Sequence, residues 1–314
     1  MASLMNTFQR ATSLAFEEGR SKYDDRRNGE NTNKHIYSHS SFHNMRNFNR
    51  VFVGWCKENG ITKLDQINPT VTRQYIDEKL KQGTINLSTA KAYESNFKKL
   101  GVLVGELTSR KFDITPKQVD TKQYATQFEG EKRTLKCDEK DYQKLIDNSR
   151  ESASKMGYKL SHAFGLRVSE ITKLRVQDIK ENKIEIVGSK GGRNRTLNIE
   201  NEEQRQVVNE LKDKYLNGKE NNPNAFVFTN KDGKRLQNDS INKAFSRGMK
   251  RLGIDKYTDA KTGIHSIRKN YATREYQALR EKGYSHKTAW GDVSEKLGHG
   301  RDREDLFKVY VKED

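Results

Sequence analysis

The apolar positions of this chain change their spacing partway along it. In the first third they recur every three or four residues. Met45, Phe48, Phe52 and Trp55 make one helical face. Val71, Tyr75, Ile76 and Leu80 make a second. Ala90, Tyr93, Phe97, Leu100 and Leu103 make a third, with Lys91, Lys98 and Lys99 turned elsewhere. Asn68-Pro69 predicts the start of the second helix, because asparagine accepts from free first-turn amides and proline suits the first helical position. Ahead of these faces, residues 2–19 read as an amphipathic helix. The polar run 21–34, SKYDDRRNGENTNK, has no apolar period and is expected to be a mobile connector. Residues 1–34 are thus expected to precede an all-α domain over 35–110.

From residue 108 to 134 no period is sustained, and Pro116 and Gly130 interrupt the chain. Residues 111–134 are therefore expected to link the helical domain to a second domain over 135–314. There the pattern is mixed. Helices are predicted around 138–148, 152–165, 169–175, 201–217, 238–252, 263–281 and 286–297. KIEIV (183–187) and NRTLNI (194–199) read as strands joined by the turn Gly188-Ser189-Lys190-Gly191-Gly192, and AFVFT (225–229) as a third short strand. The fold class is mainly α with a small antiparallel β-sheet.

Charge narrows the partners. The 314 residues carry 60 Lys and Arg against 43 acids, a net charge of +17. That excess points to a polyanion, with nucleic acid ahead of an anionic membrane surface. No apolar run approaches the roughly 20 residues of a membrane span, so no membrane partner is expected. The N-terminal stretch lacks the unbroken apolar run of a secretory signal. Cys56 and Cys137 are too few for a disulfide framework or a zinc site, which suits a reducing, cytoplasmic setting.

Four short segments bring candidate chemistry. Gly165-Leu166-Arg167-Val168-Ser169-Glu170 places an arginine where a helix begins, with Glu170 three residues on over the same face. The hairpin turn carries Lys190. His265-Ser266-Ile267-Arg268 sets a histidine and an arginine on one helix face. Leu297-Gly298-His299 is followed by Tyr310. Taken as one site, these groups suit a phosphodiester. Two guanidiniums can clamp the non-bridging oxygens. A phenol with a reference pKa of about 10 becomes a nucleophile when cations lower the cost of the phenolate and a histidine takes its proton. A lysine on the hairpin can protonate the leaving 5′ oxygen.

This ordered set resembles the tyrosine recombinase (phage integrase) family, in which a GLRxSE-type segment, a hairpin lysine, HxxR and LGH followed by tyrosine occur in the same order. The motifs span roughly 135–314, and the helices of 35–110 look like the family's SAM-like core-binding domain. The resemblance implies catalytic roles for Arg167, Lys190, His265, Arg268, His299 and the nucleophile Tyr310, with Glu170 in support. It implies two domains closing around double-stranded DNA at specific sites and a 3′-phosphotyrosyl intermediate formed without metal, ATP or other cofactor. It also implies a homotetramer on two DNA sites, monomeric or weakly associated when free, acting in the cytoplasm on the nucleoid. His299 and Tyr310 stand further apart than is frequent in the family. Only Val311-Lys312-Glu313-Asp314 follow the tyrosine, so protomer contacts are expected elsewhere, with the helix of 2–19 as a candidate.

Each residue alone has a plainer reading: Arg167 with Glu170 as an exposed helix pair, Lys190 as a solvated turn residue, Tyr310 as a packing aromatic. What weighs against these readings is their joint order. Tyr257, Tyr271, Tyr276 and Tyr284 are rival phenols, but none follows the LGH segment. His35, His39 and His43 recur at helical spacing, yet no nearby cysteine or carboxylate completes a metal set, and a solvated or DNA-facing surface is the expectation. Lys91, Lys98, Lys99, Arg193, Arg195, Lys243 and Arg247, with Lys250 and Arg251, are candidate phosphate contacts. A type IB topoisomerase that only relaxes DNA, or a silent DNA-binding accessory of the same fold, are the alternative functions.

Overall fold

The computed structural model describes residues 3–119, 135–189, 194–258 and 262–312. It divides into two compact units, Met1–Glu131 and Lys132–Asp314. Among the described residues no helix is long and apolar enough to cross a membrane.

The first unit contains α1 (Leu4–Leu14), α2 (Lys22–Arg27), α3 (His39–Glu58), α4 (Pro69–Lys81) and α5 (Leu87–Thr108). The predicted faces meet in one core, where Phe8, Phe52, Tyr75, Phe97 and Leu100 lose all exposure. Asn68 opens α4 as expected, accepting from the amides of Thr70 and Val71 at 2.9 and 3.1 Å. Two expectations change. The segment expected to precede the domain joins this core from residue 4 onward, since α1 packs Leu4, Phe8 and Ala11 against it. That apolar face is therefore already covered within the unit. The run 21–34 also forms structure: Ser21 caps α2, and Arg20 ties together Glu17, Asp25 and Glu30. A guanidinium among three carboxylates gives a polar segment an anchor that apolar periodicity does not reveal.

The histidine series also resolves differently from a single face. His35 precedes α3 and bonds Glu17 at 2.7 Å, while His39 opens the helix and bonds Glu18 at 3.0 Å. The expected linker starts later than residue 111. Ile114 is fully buried, its carbonyl accepts from Thr72 at 2.9 Å, and the strap lies so close to α5 that a Cβ on Gly101 would meet the Phe112 carbonyl oxygen at 2.7 Å. The remainder, 120–134, lies outside the described residues.

The second unit contains α6 (Glu139–Asp147), α7 (Ala153–Phe164), α8 (Val168–Ile171), strands β1 (Lys183–Ile186) and β2 (Arg195–Asn198), α9 (Glu202–Tyr215), α10 (Asn238–Arg251), α11 (His265–Glu281), α12 (His286–Lys296) and α13 (Phe307–Tyr310). Helix α7 lies against α11, α9 and α10, and Leu160, Phe164, Ile171, Leu211, Phe245 and Ile267 fill the core. The antiparallel hairpin pairs Ile184 with Leu197 and Ile186 with Arg195. AFVFT is apolar because Val227 and Phe228 enter the core, but it forms no regular strand. Among the described residues it makes isolated bridges, Phe226 to Arg175 and Thr229 to Arg235. Its backbone partner is a helical turn region: Val227 bonds the Leu174 carbonyl at 2.9 Å, and Val176 bonds that of Ala225 at 3.0 Å. The helix expected over 169–175 closes after one turn at Ile171.

Candidate active site

The site is assembled where α7, α8, α11 and the LGH turn meet. Gly165 ends α7 with φ +63°, a left-handed conformation that glycine adopts freely. A Cβ there would come within 2.5 Å of the Tyr271 ring. This turn aims the next residues inward, so Arg167 caps α8 and Glu170 reaches back to accept from its backbone N–H at 2.8 Å. Arg167 also donates through Nη1 to Glu170 at 2.7 Å.

Arg268 sits one turn into α11 and is 1% exposed. It donates to the carbonyl oxygens of Gly165 and Leu297, the latter at 2.6 Å. Both acceptors belong to the GLR and LGH segments, so the two motifs are joined by this buried arginine. Gly298 has φ +75°, which turns the chain after α12 and presents His299. The imidazole Nε2 lies 3.0 Å from Arg167 Nη2, 3.3 Å from Arg268 Nη2 and 3.0 Å from Tyr310 Oη. The Tyr310 ring lies under the Arg268 guanidinium, 5.5 Å from its centroid, and meets the His265 ring edge-on at 5.4 Å. Two guanidiniums, two imidazoles and a phenol of one chain therefore converge.

The tyrosine is 5% exposed and is seated by aromatic packing. Phe307 opens its short helix and contacts the rings of Tyr276, His286 and Trp290. Trp290 Nε1 donates to the Arg303 carbonyl at 3.0 Å, pinning the preceding loop. Thr273 donates to the Tyr310 carbonyl at 3.4 Å.

Electrostatics follow from this crowding. Burial, then the charges of Arg268 and Arg167, push the His299 imidazole down to about 3, so it is neutral at pH 7. Burial and the neighbouring Arg167 lower Arg268 to about 10, which still leaves it charged. Burial alone would raise the Glu170 carboxyl, but the Arg195 hydrogen bonds and the charges of Arg195, Arg268 and Arg167 outweigh it and hold the group well below the usual carboxylate range. Glu170 is thus an anion shared among three arginines, and among the described residues one carboxylate against three guanidiniums leaves a positive pocket.

Of the predicted site residues, Arg167, Glu170, His265, Arg268, His299 and Tyr310 come together. Lys190 and Arg193 lie outside the described residues. The rival tyrosines are committed elsewhere: Tyr257 bonds Asp141 at 3.0 Å, Tyr276 bonds His286 at 2.8 Å, Tyr271 is buried by packing and Tyr284 is exposed. Among the basic candidates, Lys243, Arg247 and Lys250 are exposed on α10 and share with Arg167 and His265 the wall of a cleft of about 700 Å³. Lys91 and Lys98 are exposed on α5, and Arg251 at the end of α10. Two candidates face inward instead. Lys99 donates to the carbonyls of Thr32 and His35 at 2.9 and 2.7 Å, and burial lowers it to about 8. Arg195 bonds both Glu170 oxygens at 2.8 and 2.9 Å. Strand alternation could have shown this, because Arg195 and Leu197 must share a face. Ser189, which donates to Glu170 at 2.5 Å, carried no signal apart from its place in the turn.

A model of the phage integrase family matches residues 136–305. No curated protein matches the chain. Among solved structures, a lambda integrase tetramer bound to a Holliday junction aligns with a TM-score of 0.64 at 15% identity, covering 100% of this chain and 79% of that one. XerH site-specific recombinase bound to palindromic difH substrate in a post-cleavage complex aligns with a TM-score of 0.64 at 16% identity, over 99% and 91%. The Tn1549 transposon integrase in complex with circular intermediate DNA aligns with a TM-score of 0.60 at 14% identity, over 100% and 96%. At such identities the likeness to these structures is one of fold.

Proposed function

The chain belongs to the phage integrase family, and on that premise we propose that it is a site-specific DNA recombinase that breaks and rejoins strands through a phosphotyrosine at Tyr310. The observation that carries this reading is the position of His299 Nε2, within 3.0–3.3 Å of Arg167, Arg268 and Tyr310 Oη. In the proposed reaction, Tyr310 Oη attacks the scissile phosphorus and forms a P–O bond as the bond to the 5′ oxygen breaks. The phenolic proton passes to an imidazole, and Lys190 protonates the leaving 5′ oxygen. Arg167 and Arg268 hold the non-bridging oxygens as charge develops on them. Burial, then the two guanidiniums, keep His299 neutral in the free chain, and a phosphodiester brings negative charge beside it and so raises that imidazole's basicity. In the second half-reaction a 5′ hydroxyl from another strand attacks the phosphotyrosine and restores the phenol. The energy of the broken bond is kept in the covalent link, and no ATP is consumed.

The exposed cations on α10, beside the cleft, and on α5 track the DNA backbone in this reading. Four copies acting on two sites follow by analogy with the lambda integrase tetramer, and the cytoplasm is the proposed place of action. The test is a nicked suicide duplex carrying the element's end sequence. The wild type forms a denaturant-resistant protein–DNA adduct, and Tyr310→Phe forms none while still shifting DNA on a gel. An adduct with the Phe variant removes Tyr310 as the nucleophile. Plasmid relaxation without exchange between two sites would assign the topoisomerase activity instead.

A further inference from the structure

We propose that Arg195 is a positioning residue, holding Glu170 and the Gly298-His299 turn in fixed relation to strand β2. The inference rests on the recombinase reading of the site. Arg195 lies in the hairpin, on the face that Ile186 and Leu197 turn to the core, and its side chain is 10% exposed. Its donors go to two separate segments. Nη1 and Nη2 grip the two oxygens of Glu170 at 2.8 and 2.9 Å, and Nε donates to the Lys296 carbonyl at 2.8 Å. That carbonyl closes α12, three residues before His299. Gly298 lies flush against the guanidinium, since a Cβ on it would come 3.0 Å from Arg195 Nη1 and 3.3 Å from Cζ.

One side chain therefore joins β2, the Arg167–Glu170 turn and the backbone that presents His299. Its bonds go to Glu170 and the Lys296 carbonyl, whereas Arg167 bonds Glu170 and also reaches His299 at 3.0 Å. Lysine cannot repeat this arrangement, because its three N–H donors radiate from a single nitrogen and cannot both grip the two Glu170 oxygens side by side and reach the Lys296 carbonyl. The geometry that Arg195 secures is the 3.0 Å spacing from His299 to Tyr310, and displacement of about 1 Å in such a constellation costs on the order of 100-fold in rate. Arg195 also contributes one of the three positive charges around Glu170. Its loss leaves Glu170 to offset Arg167 and Arg268 alone, which weakens the positive field that meets the charge developing on the attacked phosphate.

The experiment compares full-length wild type, Arg195→Lys and Arg195→Gln on the suicide duplex. Single-turnover adduct rates are measured at saturating DNA, with gel-shift affinities and melting temperatures alongside. We expect both variants to bind DNA within about 3-fold of wild type. Adduct formation should fall on the order of 100-fold in Arg195→Gln and about 10-fold in Arg195→Lys. Arg195→Lys, which restores the charge, should thus recover part of the saturated rate that Arg195→Gln loses, with DNA affinity the same in both. Wild-type-like rates in a folded Arg195→Gln protein overturn the inference. So does weakened DNA binding with an unchanged saturated rate, which makes Arg195 a DNA contact. Absence of the adduct in wild type, by contrast, is failure of the recombinase reading itself.

Discussion

Glu170→Gln removes the negative charge that, among the described residues, sits between Arg167, Arg195 and Arg268, while keeping the side chain's length. The wild-type side chain is 2% exposed. It accepts from the Arg167 backbone and Nη1, from Ser189 and from both Arg195 Nη atoms, at 2.5–2.9 Å. Glutamine keeps one acceptor oxygen but turns an NH₂ toward donors that need an acceptor. Arg167, Arg195 and Arg268 then share a buried space without a counter-charge. Removing one partner of a buried ion pair costs about 3–5 kcal/mol. In a unit of this size each kcal/mol moves the melting midpoint by about 2–4 °C, so the transition of the Lys132–Asp314 unit should fall by roughly 6–20 °C at pH 7. Scanning calorimetry of the full chain measures it. The pH dependence has a defined sign. The Glu170 carboxyl is held below its ordinary value of 4.5, so its contribution is present above pH 4.5 and is lost as pH falls through the lower folded-state value. The gap between wild type and variant should therefore narrow on acidification below about pH 4.5. A variant melting within about 2 °C of wild type at pH 7 would refute the claim that this carboxylate organises the three arginines.

Gly165→Ala forces a left-handed φ of +63° on a residue with a Cβ and drives that atom to 2.5 Å from the Tyr271 ring; urea denaturation should show a loss of about 2–5 kcal/mol, and a loss below about 1 kcal/mol counts against it. His299, lowered to about 3 in the folded chain from 6.5, should show imidazole NMR signals that do not titrate between about pH 5 and 8. The unfolded imidazole gains a proton in the window from 6.5 down to 3 while the folded one does not, so His299 should destabilise the fold progressively across that window. A midpoint above about pH 5 would contradict this reading of its environment. Lys243→Ala and Arg247→Ala should each weaken DNA binding and flatten the slope of log affinity against log salt by about 1. Lys99→Ala should leave that slope unchanged, since its ammonium is held by the Thr32 and His35 carbonyls.

The helical faces of the first unit and the order of the four motifs in the second were readable from residue types and spacing. Asn68-Pro69 opens a helix for reasons of backbone valence, and Phe52, Tyr75 and Phe97 are buried because helical period puts them on inward faces. What a period cannot express is which charges find each other. The polar run 21–34 reads as free because its anchor, Arg20 among Glu17, Asp25 and Glu30, joins residues with no common spacing. Residues 225–229 read as a strand because a short apolar run records burial. Whether a neighbouring edge exists to complete a ladder is decided by the path of 174–176.

The same division separates Arg167 from Arg195. Residue type, motif and order mark Arg167, Arg268, His299 and Tyr310 as one chemical set, because phosphoryl transfer needs those groups and the sequence lists them in succession. Surface composition alone made Arg195 and Lys99 look like their exposed neighbours. Strand period can place Arg195 on the inward face, but only the folded chain shows its guanidinium bonded to a buried carboxylate and a helix-end carbonyl. That outcome rests on long-range contacts, residue 195 to 170 and to 296, whose partners are set by how the hairpin, α8 and α12 pack together.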